Sequence, residues 1–281
     1  MRDMTDAVVA QVTLALSSPQ PCWMPGLAER LVQSWHEASR TEPSSYGTSR
    51  FVGGPSCRPS WTQELRANGK ALTCLEVMAS AVEDRYSANG LSFLSTEEVV
   101  GMPKGVFYEA LSAASMPATL LACVIKLAKT THLLRSAGEG MDVSHSDPAL
   151  PFSVFVSTPA PQERFTALRL AESFVHESMH LQLSLIERVI PMVRDNETTY
   201  HSPWRDGHRP VGGVLHGLYV FAAIHEWLTL RGPNCTYAEQ RLPEISSEVE
   251  QLESFPEEDG LTQTGAQFAR RMVDSVLVAA V

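Results

Sequence analysis

Cysteine is sparse and scattered: five residues, Cys22, Cys57, Cys74, Cys123 and Cys235, with no Cys-x-x-Cys pair. An odd count at irregular spacing makes neither a disulfide framework nor a zinc ribbon, and it reads as free thiols in a reducing cytoplasm. Cations are also short. With 22 Lys and Arg against 32 Asp and Glu, the formal net charge is −10. That excludes a general nucleic-acid binder, which needs clustered Lys and Arg for the phosphates. No apolar run reaches the ~18–20 residues of a membrane span. The most apolar early stretch, 8–16, follows acidic residues and a single Arg and has no small-residue cleavage site, so it does not read as a secretory leader. Repeats, low-complexity tracts and an evident linker are missing as well. One domain over 1–281 is therefore expected, with a helical part over 1–140, a core over 145–231 and C-terminal helices over 232–281.

What is present is helical periodicity. Apolar residues recur at three-to-four spacing over 4–17, 25–39, 61–83, 104–115, 118–137, 162–190, 213–231, 236–253 and 262–279. Pro25 and Pro161 suit helix starts, Pro191 ends the central helix, and Gly232–Pro233 breaks the next. The one convincing strand is 152–157, Phe-Ser-Val-Phe-Val-Ser, rich in aromatic and β-branched residues. These signals predict a mainly α fold: a single helical domain with one or two short strands and a metal site between two core helices. Two irregular stretches remain. Residues 40–60 read as a long surface loop. Residues 194–212 join two apolar helices, and a loop that long with Tyr200, Trp204 and several Arg reads as functional.

The chemistry concentrates in His176-Glu-Ser-Met-His180. Positions four apart share a helix face, with Cβ atoms about 5–6 Å apart, so both imidazoles can reach one ion. Neutral imidazole suits zinc, iron, copper or nickel. Glu177 projects to the side, where it can meet a metal-bound water without ligating the ion. Glu172, one turn earlier, is placed to orient a ligand imidazole. The neighbours Phe174, Val175, Leu181, Leu183 and Leu185 bury the helix, and buried imidazoles need partners.

A third ligand must come from elsewhere. Glu187 is seven residues past His180, about 10 Å along the axis, too far for the same ion. The His-x-x-Gly-x-x-His extension of metzincins is absent, since Leu-Gln-Leu-Ser-Leu-Ile follows His180. His216 lies among apolar residues between Gly213 and Gly217, which permit another helix to approach closely. His225 and Glu226 are rivals on the same helix that cannot share an ion with His216; a zinc peptidase with a glutamate ligand would use Glu226. The glycine setting and the Arg-rich loop before it favour His216. If an organic acid is a co-substrate, its carboxylate needs a fixed cation, and Arg is bidentate and always charged. Arg205 and Arg209, eleven and seven residues before His216, are the candidates, with Arg194 further off.

The succession Leu150-Pro-Phe-Ser-Val-Phe-Val-Ser-Thr-Pro159, Arg169-Leu-Ala-Glu172, His176-Glu-Ser-Met-His-Leu-Gln-Leu183, Ser202-Pro-Trp-Arg205 and Arg209-Pro-Val-Gly-Gly-Val-Leu-His216-Gly-Leu-Tyr219 resembles a known family. That family is the His-Glu-x-x-His peptide-modification proteins of ribosomal peptide natural-product pathways. The likeness covers about 145–231, and the two ends are recognisable only as helical. It implies an iron(II)- and 2-oxoglutarate-dependent oxygenase that uses O2 to hydroxylate a β-carbon in a precursor peptide. It implies His176, His180 and His216 as iron ligands; Arg205 and Arg209 as co-substrate contacts rest on the charge argument above. Glu177 then supports the site by hydrogen bonding. Non-haem iron oxygenases commonly use two His and one carboxylate, whereas three His is also a zinc set, so the ligand types leave the metal open. Two other functions stay in play. One is a zinc metallopeptidase with Glu177 as general base. The other is a catalytically silent peptide-binding protein with a structural metal.

Overall fold

The computed structural model describes residues 2–17, 23, 25–41, 59–150, 152–194, 197–205 and 207–279. Most of the loop expected over 40–60, together with Cys22 and Cys57, lies outside the described residues. The chain forms two compact units, one of residues 32–181 and one of residues 1–31 with 182–281.

The 32–181 unit corrects the expected fold class. It is built on a five-stranded mixed sheet, and with a second, two-stranded sheet in the other unit the protein is α/β, about 54% helix and 17% strand. The strands are β1 (Trp61–Ala67), β2 (Lys70–Val77), β3 (Thr130–Leu134), β4 (Ser144–Ser146) and β5 (Ser153–Ser157), in the order β1-β2-β3-β5-β4. The centre, β2-β3-β5, is parallel, and the outer strands β1 and β4 are antiparallel to their neighbours.

Two helices expected from periodicity are thus strands in whole or part. In 61–83 the dipeptide Asn68-Gly69, with φ of 50° and 76°, closes the β1–β2 hairpin. Only a turn with left-handed residues matches the twist of two adjacent strands, and Asn-Gly supplies it at low cost. In 118–137 a helix stops at Leu127 and the wholly buried β3 follows. A short buried apolar run carries no period that separates strand from helix. The β-branched pair Thr130-Thr131 was the available cue, and Thr131 bonds across to Thr73 Oγ1 at 2.8 Å. The strand expected at 152–157 is present as β5.

The helices in chain order are α1 (Arg2–Ser17), α2 (Pro25–Thr41), α3 (Ser80–Ser87), α4 (Thr96–Gly101), α5 (Gly105–Ala110), α6 (Ala118–Leu127), α7 (Thr166–Glu187), α8 (Val211–Leu230), α9 (Thr236–Glu250) and α10 (Gln263–Ala279). One apolar cluster of the 32–181 unit joins Met78, Tyr86, Leu134, Leu150 and Phe155, which removes a large area of apolar surface from water.

In the other unit α8 packs against α9 and α10, and a hairpin of β6 (Thr199–Ser202) and β7 (Gly207–Pro210) leads into it. The loop expected over 194–212 is therefore partly a two-stranded sheet. α8 is apolar all round and long enough to cross a membrane, contrary to the expectation that no such run exists. It is 67% buried over its most apolar window, as a core helix is.

Candidate metal centre

α7 carries the His-Glu-x-x-His run in its second half. His176 and His180, one turn apart, turn their rings toward each other, with centroids 4.8 Å apart and Nε2 atoms 3.2 Å apart. Two imidazole nitrogens on one tetrahedral ion with bonds of ~2.0–2.1 Å stand roughly 3.3 Å apart. The pair thus already has the spacing of two adjacent coordination positions. Imidazole nitrogen suits iron(II) and zinc alike, so the donor chemistry fits either.

Glu177 is 2% exposed, and its Oε1 accepts a hydrogen bond from the Ser144 hydroxyl at 2.6 Å. The same oxygen stands 3.8 Å from His176 Nε2, beside the mouth of the histidine pair. A buried carboxylate needs such partners, and a hydroxyl donor fixes its rotamer. Ser144, 33 positions before Glu177, carries no signal in the sequence that marks it as a partner of the motif. Ser178, between the two histidines, is fully buried with no partner for its hydroxyl.

Arg169, which opens the Arg169-Leu-Ala-Glu172 segment of the family likeness but had no role assigned, holds this region together. Its guanidinium donates to Asp142 at 2.7 and 2.8 Å and to Glu163 at 2.6 Å, tying α7 to the segment that enters β4. Glu163 also accepts from the backbone N–H groups of Ala160 and Gly140. The Arg169 bonds, with those N–H groups, hold its carboxyl down to about 2. Glu172 sits half-buried on α7, one turn before His176.

His216 is placed by the 182–281 part. Its Nε2 meets Glu187 Oε2 at 2.9 Å, and three residues on, Tyr219 Oη accepts from Gln182 Nε2 at 2.5 Å. The end of α7 and the start of α8 therefore run antiparallel, joined by two polar contacts. Glu187, set aside as too distant from His180, is the carboxylate partner of the histidine chosen as third ligand. Among the described residues no group of three or more His, Cys, Asp or Glu side chains is gathered as an ion site. What stands assembled is the His176–His180 pair with Glu177, and separately the His216–Glu187 pair.

The glycines beside His216 have a different role from the one expected. A Cβ on Gly217 would stand 2.4 Å from Trp204 Cζ3, so Gly217 admits the indole of the hairpin loop and not another helix. Trp204 stacks on Phe221, centroids 4.9 Å apart, and donates to Glu248 at 3.1 Å. At Gly213 the close neighbour is Arg209 Nε, 3.8 Å from the Cβ position. Arg209 therefore folds back along the first turn of α8, one turn before His216. Arg205 is exposed in the hairpin turn, and Arg194 is exposed in the segment before β6.

The rivals on α8 are occupied differently. His225 is buried with Nε2 3.4 Å from Ser246 Oγ, and burial pushes its pKa down. Glu226 is half-buried, and desolvation lifts its carboxyl to about 7. Of the remaining histidines, His132 is buried in β3 near Glu76 O, and His201 faces His208 across the hairpin.

No family model matches the chain, and no curated protein is similar to it in sequence.

Proposed function

We propose that this protein is an iron(II)- and 2-oxoglutarate-dependent oxygenase that hydroxylates a residue, at its β-carbon, of a ribosomally made precursor peptide in the cytoplasm. The observation that carries the reading is the His176–His180 pair, whose Nε2 atoms stand 3.2 Å apart on one face of α7. The ordered likeness of 145–231 to the peptide-modification proteins supports iron and 2-oxoglutarate over other uses of such a pair. In net terms one C–H becomes C–OH while O2 converts 2-oxoglutarate to succinate and CO2. Iron, when bound, supplies the activation of O2.

The protein's own residues have distinct tasks in this scheme. His176 and His180 hold the ion through Nε2. His216, paired with Glu187 Oε2 at 2.9 Å, is the proposed third ligand on the strength of the family likeness. Arg209, lying along α8 one turn before His216, is the better candidate for the co-substrate carboxylate, with Arg205 second. Glu177, held by the Ser144 hydroxyl, stands beside His176 and orients it.

One observation favours a second reading, a zinc metallopeptidase. Glu177 Oε1 stands 3.8 Å from His176 Nε2, within reach of a water at the same ion, where it could act as general base. Incubating the protein with the neighbouring precursor peptide, 2-oxoglutarate and either iron(II) or zinc separates the two. We expect succinate and a peptide heavier by one oxygen atom with iron, both lost in His176→Ala and His216→Ala. A shortened peptide formed with zinc, without 2-oxoglutarate, would establish the peptidase instead. If His176→Ala and His216→Ala both keep 2-oxoglutarate turnover, the ligand assignment is wrong.

A further inference from the structure

One edge of the five-stranded sheet lies at the candidate centre. Among the described residues β4 is its last strand, paired on one side only, and Ser144 in β4 donates directly to Glu177. The hydrogen-bond phase of this edge can be read off. Ser157 N donates to Val143 O at 2.8 Å, which makes 143 and 157 a hydrogen-bonded pair. Antiparallel ladders alternate, so His145 is the next residue to turn its N–H and C=O inward, toward Phe155. Ser144 and Ser146 therefore turn their backbone N–H and C=O outward. Among the described residues no bond is recorded to these outward groups.

The edge is held ready. Arg169 clamps Asp142 just before β4, Val143 N donates to Ser157 Oγ at 2.8 Å, and Asp147 just after β4 accepts from Tyr86 Oη at 2.9 Å. β4 itself is half-buried, and unpaired edge groups are templates for another strand. Carboxylates outnumber the cations paired with them here. Residues 136–163 contain four carboxylates, Glu139, Asp142, Asp147 and Glu163, and no Lys or Arg. Arg169 pairs with Asp142 and Glu163 and Arg85 stands 3.8 Å from Asp147, so four carboxylates face two guanidiniums and the net negative charge favours a neutral or basic partner.

We propose that β4 is the peptide-docking strand: an extended segment of the substrate pairs with Ser144 and Ser146 as a further strand, laid beside Glu177 and His176. This rests on the reading of the substrate as a peptide. Backbone pairing supplies affinity with little demand on side chains, leaving alternate residues to set specificity.

The probe is a phage-displayed library of random-sequence peptides selected on the whole protein. Selected peptides should be basic at their flanks, and N-methylating them one residue at a time should weaken binding at every second position. Ser146→Pro removes an outward N–H and no bond of the β4–β5 ladder, so the fold should survive while affinity drops about tenfold. Should that variant misfold, the N-methyl scan on wild type decides alone. No selected peptide, a flat scan, or equal binding by well-folded Ser146→Pro would overturn the proposal. Docking that behaves as described, with no succinate formed in the presence of iron, would instead remove the oxygenase reading and leave the docking strand standing.

Discussion

Glu177 is the residue at which the competing chemistries part. As a general base it carries the proton transfer, and Glu177→Gln should lower peptide cleavage by roughly a hundred- to ten-thousandfold. As a hydrogen-bonded support for His176, fixed by Ser144, it matters less, and the same variant should keep oxygenation within about tenfold of wild type. Measuring both activities on one Glu177→Gln preparation gives the answer. The next residue, Ser178, tests the burial argument separately. Its hydroxyl is buried without a partner, so Ser178→Ala should leave stability unchanged or raise it by up to about 1 kcal/mol in urea unfolding. The histidine pair was legible in the sequence because helical spacing alone puts positions 176 and 180 on one face. Ser144, the contacts of Arg169 with Asp142 and Glu163, and the His216–Glu187 contact were not. Each depends on chain segments brought together by the fold, which local spacing does not encode.

Among the elements, the β1–β2 hairpin and the β6–β7 hairpin show what periodicity conceals. Residues 61–83 carry apolar positions that fit a helical repeat, yet Asn68-Gly69 turns the chain back on itself. Gly69 has φ of +76° with open space where a Cβ would stand. Gly69→Ala should thus cost about 1 kcal/mol through the backbone alone, read from the shift in chemical-denaturation midpoint. Gly217 is the opposite case: its backbone is ordinary, but a Cβ would overlap Trp204. Gly217→Ala should destabilise by roughly 1–3 kcal/mol and change Trp204 fluorescence, since the indole must leave Phe221. The helices α7, α8, α9 and α10 were foreseen because they are long and strongly periodic. β3 was not, because five consecutive buried residues offer neither period.

At the scale of the molecule, the two-unit organisation places the His176–His180 pair and the sheet edge in 32–181, and the His216–Glu187 pair with Arg209 in the rest. Composition had no means of revealing the sheet, since mixed sheets buried at their centre share their residue types with helical cores. Stability should carry the mark of that buried sheet. His132 in β3 is fully buried, and desolvation, opposed by the Glu76 carbonyl, brings its pKa down to about 4. The unfolded chain then binds a proton below the ordinary value of about 6.5 that the folded chain refuses. The contribution is intact above about pH 6.5 and is lost as pH falls toward 4, by about 3 kcal/mol. Denaturation across that range should show the slope, and His132→Leu should flatten it. The central claim, an oxygenase built on His176 and His180, is tested most directly by mass spectrometry of the precursor peptide after reaction with iron(II) and 2-oxoglutarate under isotopically heavy O2. The expected product carries one heavy oxygen atom, and His180→Ala yields none. An unlabelled, shortened peptide, or the same labelling by His180→Ala, would contradict it.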